Sequence, residues 1–235
     1  MFKGNKILAF IPARGGSKGI KNKNIIDVNG QPLIHYTIKA ALKSKYIDKI
    51  FVSTDSEKIK NVAEQCGIEI PFLRPAELAA DTSKTIDAII YTIDELKRRC
   101  EIYDDLIILQ PTSPLRTVDD IDNAVEKFYE YGRKSLVSVS PVTDSPLFIR
   151  KVIDDTRMEK ILDINSTVRR QDMLKFYVIN GAIYINKISE IDFSTSFNDN
   201  EIPFIMAAEN SADVDEYVDL AIVKYWLTEK GFNNE

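Results

Sequence analysis

Residues 7–24, ILAFIPARGGSKGIKNKN, constrain this chain most: an apolar run stops at Pro12 and opens into Arg14, three glycines and a series of lysines. Such a run suits a buried strand feeding a loop. Gly15, Gly16 and Gly19 allow the backbone to pass close to a ligand and turn several N–H groups toward one anion. Arg14, Lys18, Lys21 and Lys23 add charge, the first as a planar fork and the others as movable point charges. A solvated Gly-Lys turn between strand and helix has a similar appearance. Four basic residues beside a buried strand in an acidic chain favour a nucleotide phosphate site instead.

The remainder of the chain alternates strand and helix signals. Pro32 opens a helix with Leu33, Ile34, Ile38, Ala41 and Leu42 on one stripe. KIFVST (49–54) reads as a strand, followed by a helix from Ser56 that stops at Gly67. IEIPF (residues 68–72) reads as a third strand, and a helix is expected from about Thr82 to Arg99. LIILQP (106–111) is apolar throughout, as a strand covered on both faces should be. Thr117 and Asp120 form a capping-box pattern for a helix that Gly132 ends. SLVSVS (135–140), FYVINGAIYI (176–185) and IPFIMA (202–207) read as strands. A last helix, 216–229, shows Val218, Ala221, Ile222 and Tyr225 on one face. Only residues 141–175 depart from the alternation, with FIRKVI, a DDT turn and MEKILDI reading as a hairpin. The pattern predicts a three-layer α/β domain with a mainly parallel sheet and right-handed crossovers.

At 235 residues and 44% hydrophobic, one large domain is expected. A formal net charge of −5 excludes a general nucleic-acid binder, which needs a basic field. Cys66 and Cys100 lack metal-ligand spacing and read as buried free thiols in a reducing compartment. No apolar run reaches the length of a membrane span or a secretory signal core, so a cytoplasmic protein is expected. The only histidine, His35, stands beside Ile34 and Tyr36 in a helix, which removes the usual hydrolase triads. The opening loop also lacks the endings of a Walker A or GxGxxG motif.

In a mainly parallel sheet the ligand sits beyond the carboxyl ends of the strands. That rule gathers the opening loop, Ser53 to Asp55, Arg74 and the segment Gln110 to Arg116 along one rim. Gln110, Thr112, Ser113 and Arg116 suit a base edge or a sugar, or simply form a proline-containing turn. Asp213 and Asp215, two residues apart, can share one Mg²⁺ with phosphate oxygens and water. Spacing alone favours the plainer reading, with Asp215 capping the last helix. Arg169, Arg170 and Gln171 could clamp a carboxylate or be ordinary exposed residues before a strand, and Asn180-Gly181 suggests a bulge, a close backbone approach or a plain strand irregularity.

IPARGGSKGIKNKN, VSTDS, RPAELAADTS, ILQPTSPLR, RRQ, NGAIYI and the late DVD occur collinearly from about residue 5 to 228. Together they resemble the acylneuraminate cytidylyltransferases, the CMP-sialic acid and CMP-nonulosonate synthetases. The resemblance implies a Rossmann-like nucleotidyltransferase core (1–140 and 176–235) and a small dimerisation insertion (141–175), hence a homodimer. It implies sugar nucleotide biosynthesis in which CTP and a nine-carbon 2-keto sugar acid give CMP-sugar and pyrophosphate, with Mg²⁺ as cofactor. By this resemblance the nucleotide meets Ala13, Arg14, Gly15, Gly16, Ser17, Lys23, Asn24, Arg74, Asp81 and Ser83. The sugar acid meets Gln110, Arg170, Gln171, Asn180 and Tyr184. Asp213 and Asp215 hold the metal, and these two with Arg14 and Lys23 carry catalysis; the general base is left open. Lys18 and Lys21 lose standing, since being basic in that loop no longer suffices. Leu174, where the family often has proline, and Val214, where it often has isoleucine, are departures. A synthetase for the eight-carbon acid Kdo is the nearest alternative, and a non-catalytic nucleotide-binding protein of the same fold is another.

Overall fold

The computed structural model describes residues 1–17, 19–142, 144–164, 167, 169 and 174–229. In chain order its strands are β1 (Ile7–Pro12), β2 (Asp27–Val28), β3 (Gln31–Pro32), β4 (Lys49–Ser53), β5 (Asp105–Leu109), β6 (Leu136–Pro141), β7 (Arg150–Asp154), β8 (Arg157–Lys160), β9 (Tyr177–Lys187) and β10 (Ile202–Ile205). The helices are α1 (Leu33–Lys43), α2 (Glu57–Gln65), α3 (Thr85–Arg98), α4 (Val118–Glu130) and α5 (Tyr217–Glu229). Six strands form the main sheet in the order β10-β6-β9-β5-β1-β4. β1 pairs in parallel with β4 and β5, and β10 with β6, whereas β9 runs antiparallel to both neighbours. The carboxyl ends of the five parallel strands therefore share one rim.

Side-chain alternation along β1 shows why the domain has three layers. Ile7, Ala9 and Ile11 face a cluster that includes Ile38 of α1, Ala63 of α2 and Phe128 of α4. Leu8 and Phe10 face the opposite cluster, with Ile89, Ile93 and Leu96 of α3. All five of these β1 residues are fully buried. A third cluster joins Ile20, Val28, Leu33, Leu115, Val214 and the inner face of α5. It pins two loops of the rim to one another.

Local signals held at several positions. Thr117 and Asp120 form the expected capping box, with Asp120 N–H donating to Thr117 Oγ1 at 3.1 Å and Thr117 N–H to Asp120 Oδ2 at 2.9 Å. Gly67 and Gly132 end their helices with φ of +94° and +70°. Gly181 takes φ +74° inside β9, opposite a register shift between Val137 and Val139, so β9 is irregular at Asn180-Gly181. β7 and β8 form a hairpin within 141–175.

Three expectations are corrected and one turn is added. Residues 68–72 form no strand, and β4 is the sheet edge; Pro71 lacks the N–H that a ladder needs, although Ile70 is buried. Asn29-Gly30, passed over in the sequence, turns β2 into β3 with φ of +53° and +84°, as a two-residue hairpin requires. Cys100 is exposed and Cys66 half-buried, its Sγ 3.5 Å from His35 Nδ1. In α5 the buried residues are Leu220, Val223 and Leu227, while Val218, Ile222 and Tyr225 are exposed. This helix is apolar on both sides, so periodicity could not choose the inward face.

That reversal is directly measurable. Leu220→Ala should cost about 2–5 kcal/mol of unfolding free energy, a buried-leucine truncation. Ile222→Ala should change it by no more than about 0.5 kcal/mol, as exposed substitutions do. A larger loss for Ile222→Ala than for Leu220→Ala in urea titrations would restore the opposite face as the packed one.

Candidate active site

The loop after β1 and the loop before α5 meet because each carries a fully buried apolar anchor, Ile20 and Val214, in the third cluster. Val214 points inward, leaving Asp213 and Asp215 on the exposed side. Lys23 Nζ crosses between the loops and donates to the Val214 carbonyl and to Asp215 Oδ1, both at 2.9 Å. The approach is closest at Gly19, where an added Cβ would lie 2.6 Å from the Asp215 carbonyl oxygen. Glycine is required there by contact, whereas a Cβ on Gly16 would meet nothing.

Three clefts follow one another along the rim. The first, about 430 Å³, is lined by Arg14, Gly16, Ser17, Gly19, Lys23, Asn24, Gln110, Thr112, Asp215 and Glu216, among others. The second, about 330 Å³, adds Arg74, Asp81, Ser83, Lys84 and Thr85 to Arg14 and Gln110. The third, about 240 Å³, lies between Thr85, Gln110, Tyr184, Phe197 and Asn198. Among the described residues only Gln110 lines all three.

Most predicted nucleotide residues converge here. Ala13 is buried, its N–H on the Ser53 carbonyl at 2.9 Å. Arg14 Nη1 pairs with Asp81 Oδ1 at 3.0 Å, bridging the first two clefts. Asn24 Nδ2 donates to the Arg14 carbonyl at 3.0 Å and so sets where that arginine leaves the backbone. Arg74 is buried; its Nε and Nη2 donate to Ser53 Oγ and the Ser53 carbonyl at 3.0 and 2.8 Å. Burial lowers its pKa, opposed by the Asp55 carboxylate. Ser83 Oγ donates to the Glu77 carbonyl at 2.6 Å.

Other placements differ from expectation. Gly15 N–H is taken by Asp55 Oδ1 at 2.8 Å and lines none of the three clefts. Asp55 thus anchors the loop from the end of β4. Lys21 is exposed and lines none of them, while Lys18, Arg170 and Gln171 lie outside the described residues. Asn180 is buried with its amide engaged: Oδ1 accepts from Ser138 Oγ and Ala182 N–H, and Nδ2 donates to Ser211 Oγ. Tyr184 does reach the third cleft, its hydroxyl donating to Asn198 Oδ1 at 3.1 Å. Arg116 faces inward, 2% exposed, and lines none of the clefts. Lys84, Thr85, Phe197 and Asn198 were missed; they belong to no charge cluster or glycine pattern, so only the fold reveals them.

Asp213 and Asp215 form a donor set suited to a hard divalent ion, which takes one or two carboxylates and completes its shell with phosphate and water. Among the described residues no cluster of three or more His, Cys, Asp or Glu side chains could hold a metal by itself. Burial against the surrounding walls raises the Asp213 carboxyl, with the Asp215 charge in the same direction and the Thr112 hydroxyl and Lys23 opposing. The exposure of Asp213 at the surface limits that desolvation.

The sequence model of the family described as Cytidylyltransferase matches residues 8–198. This chain belongs to the cytidylyltransferase family. This cytidylyltransferase is 36% identical over 221 residues to the CMP-N,N'-diacetyllegionaminic acid synthase of Legionella pneumophila, covering 93% of this chain and 95% of that protein. It is 33% identical over 223 residues to the pseudaminic acid cytidylyltransferase of Campylobacter jejuni, with 93% and 95% covered. The solved structure of CMP:2-keto-3-deoxy-manno-octonic acid synthetase complexed with CTP superposes with a TM-score of 0.72, covering 96% of this chain and 99% of that one at 16% identity. That last likeness shows a shared fold. Among the described residues of this cytidylyltransferase no helix is long and apolar enough to cross a membrane.

The Gly19 contact yields a test of how the cytidylyltransferase cleft is assembled. Gly19→Ala forces the two loops apart and should weaken CTP binding about tenfold, or about 1.4 kcal/mol, by calorimetry. Gly16→Ala should change it by less than about threefold. Equal effects of the two would remove the close approach as the reason for glycine at 19.

Proposed function

We propose that this cytidylyltransferase activates a free nine-carbon 2-keto sugar acid with CTP, giving CMP-sugar and pyrophosphate in the cytoplasm. One observation carries the reading: Arg14, Lys23 and Asp215 share a cleft at the carboxyl ends of the strands, next to a second polar cleft and a third with aromatic walls. The relatives named for legionaminic and pseudaminic acid support a nine-carbon acid over the eight-carbon one.

In this reaction the anomeric hydroxyl of the sugar acid attacks the α-phosphorus in line. A new P–O bond forms, the bond to the β-phosphate oxygen breaks, pyrophosphate leaves with the electron pair, and the hydroxyl proton is released to solvent. Arg14 and Lys23 hold the triphosphate and stabilise charge gathering on the departing pyrophosphate. Both cations are already held by partly or largely exposed carboxylates, Asp81 and Asp215. Such pairs are worth about 0–1 kcal/mol, so phosphate can displace them at little cost. Gly16, Ser17 and Gly19 give the triphosphate a close backbone wall, while Arg74, Asp81 and Ser83 face the nucleoside. Gln110 and Tyr184 border the sugar acid. Asp213 and Asp215 would hold Mg²⁺, which supplies charge neutralisation to phosphate oxygens when bound. Asn180 acts by bracing β9, since its amide is occupied internally.

The segment 141–175 serves as a dimerisation insertion in this proposal. Support comes from the apolar surface it exposes: Val152 and Met158 on the hairpin are 72% and 66% exposed, and Leu174 is 65% exposed. Sedimentation at micromolar concentration should give twice the 26.7 kDa chain mass, and Val152→Lys with Met158→Glu should give a monomer. A monomeric wild type would remove this role.

Turnover is tested by pyrophosphate release with CTP, Mg²⁺ and, in turn, legionaminate, pseudaminate, N-acetylneuraminate, Kdn and Kdo. Release is expected with a nine-carbon acid, lost on chelation, and at least about a hundredfold slower in Asp215→Asn with an unchanged melting temperature. No release with any acid would refute the proposal. Preference for Kdo would replace its substrate, and CTP binding without turnover would point to a non-catalytic binder.

A further inference from the structure

Arg116 lies behind the clefts and joins the two strands that border them. Its Nη1 donates to the Gln110 and Ala182 carbonyls at 3.1 and 2.8 Å, and Nη2 donates to Thr37 Oγ1 at 2.8 Å. Thr37 Oγ1 in turn donates to the Gln110 carbonyl at 3.3 Å. The last paired residues of β5 and β9 at this end are Leu109 and Ile183. Gln110 and Ala182 are the next residue on each strand. The guanidinium therefore takes over where the backbone ladder stops, giving one donor to each carbonyl across the gap.

A structural plug alone accounts poorly for this choice of side chain. Among the described residues Arg116 has no carboxylate bonded to it; Asp120 acts only through its charge, and burial pushes the guanidinium pKa down to about 9. A buried cation without a bonded counter-ion costs stability. Arg116 Nε and Ser113 Oγ are both buried and find no partner among the described residues.

We propose that Arg116 is a positioning residue for the transfer reaction, fixing the place of Gln110 at the junction of the three clefts by holding its carbonyl in register with β9. The inference rests on the function proposed above. A lysine cannot reproduce the fork, since it has a single nitrogen where the guanidinium spans three acceptors.

The test is a double-mutant cycle on the sugar acid that the wild type turns over in the panel above. Arg116→Lys should raise KM for that acid about tenfold, with kcat within about threefold and KM for CTP nearly unchanged. In the Gln110→Ala background the same substitution should add less than about twofold, because the side chain it positions is gone. Thr37→Val, a milder cut in the same network, should raise KM about threefold with the melting temperature within a few degrees of wild type. It decides the matter if Arg116→Lys does not fold. Unchanged KM in the folded variants, or losses that multiply in the double variant, would overturn the inference while leaving the reaction in place. A wild type inactive with every acid would instead overturn the function, and the inference with it.

Discussion

Burial of Ile20 and Val214 in one apolar cluster is the constraint on which the site depends. Each side chain is fully buried, worth about 1.5–3 kcal/mol against exposure. Neither is chemically reactive, yet together they bring the loop after β1 against the loop before α5. The polar contacts that follow, from Lys23 to the Val214 carbonyl and the Asp215 carboxylate, are short-range and need the loops already in place. Hydrophobic burial sets the distance, and the charges then use it.

The electrostatics of the cleft are local. The chain carries a formal net charge of −5, yet its first two clefts collect Arg14, Lys23, Arg74 and Lys84. Arg14 and Lys23 are matched to Asp81 and Asp215, and Gly15 is tied by Asp55. A site built this way pairs its cations with carboxylates of its own. The acidic residues offset the repulsion among the cations and tie the loop to its neighbours.

How much could be read from the sequence depended on the range of the signal. The α/β layering was legible because β1 is apolar on both faces and helices such as α4 announce their caps within a few residues. The Gly-basic loop was legible as a wall of the first cleft for the same reason. The neighbour of Asp215 was not: Gly19 and Lys23 meet it across about 190 residues, a separation no local pattern encodes. Arg116 misled because a charged residue in a polar loop ordinarily faces water, and only tertiary carbonyls could draw it inside. The inward face of α5 was ambiguous because apolar residues surround that helix.

The register of β6 with β9 has a consequence for how this fold can change. Pro141 and Tyr177 are paired residues, so the chain leaves the sheet and returns to it at one rung. Everything between them is, in polymer terms, the loop of a single hairpin. Closure entropy grows only with the logarithm of loop length, each doubling adding about 0.6 kcal/mol. Segments can therefore be lengthened, shortened or exchanged there with little effect on the sheet's stability. The most replaceable stretch of the chain begins and ends at the rim that carries the clefts.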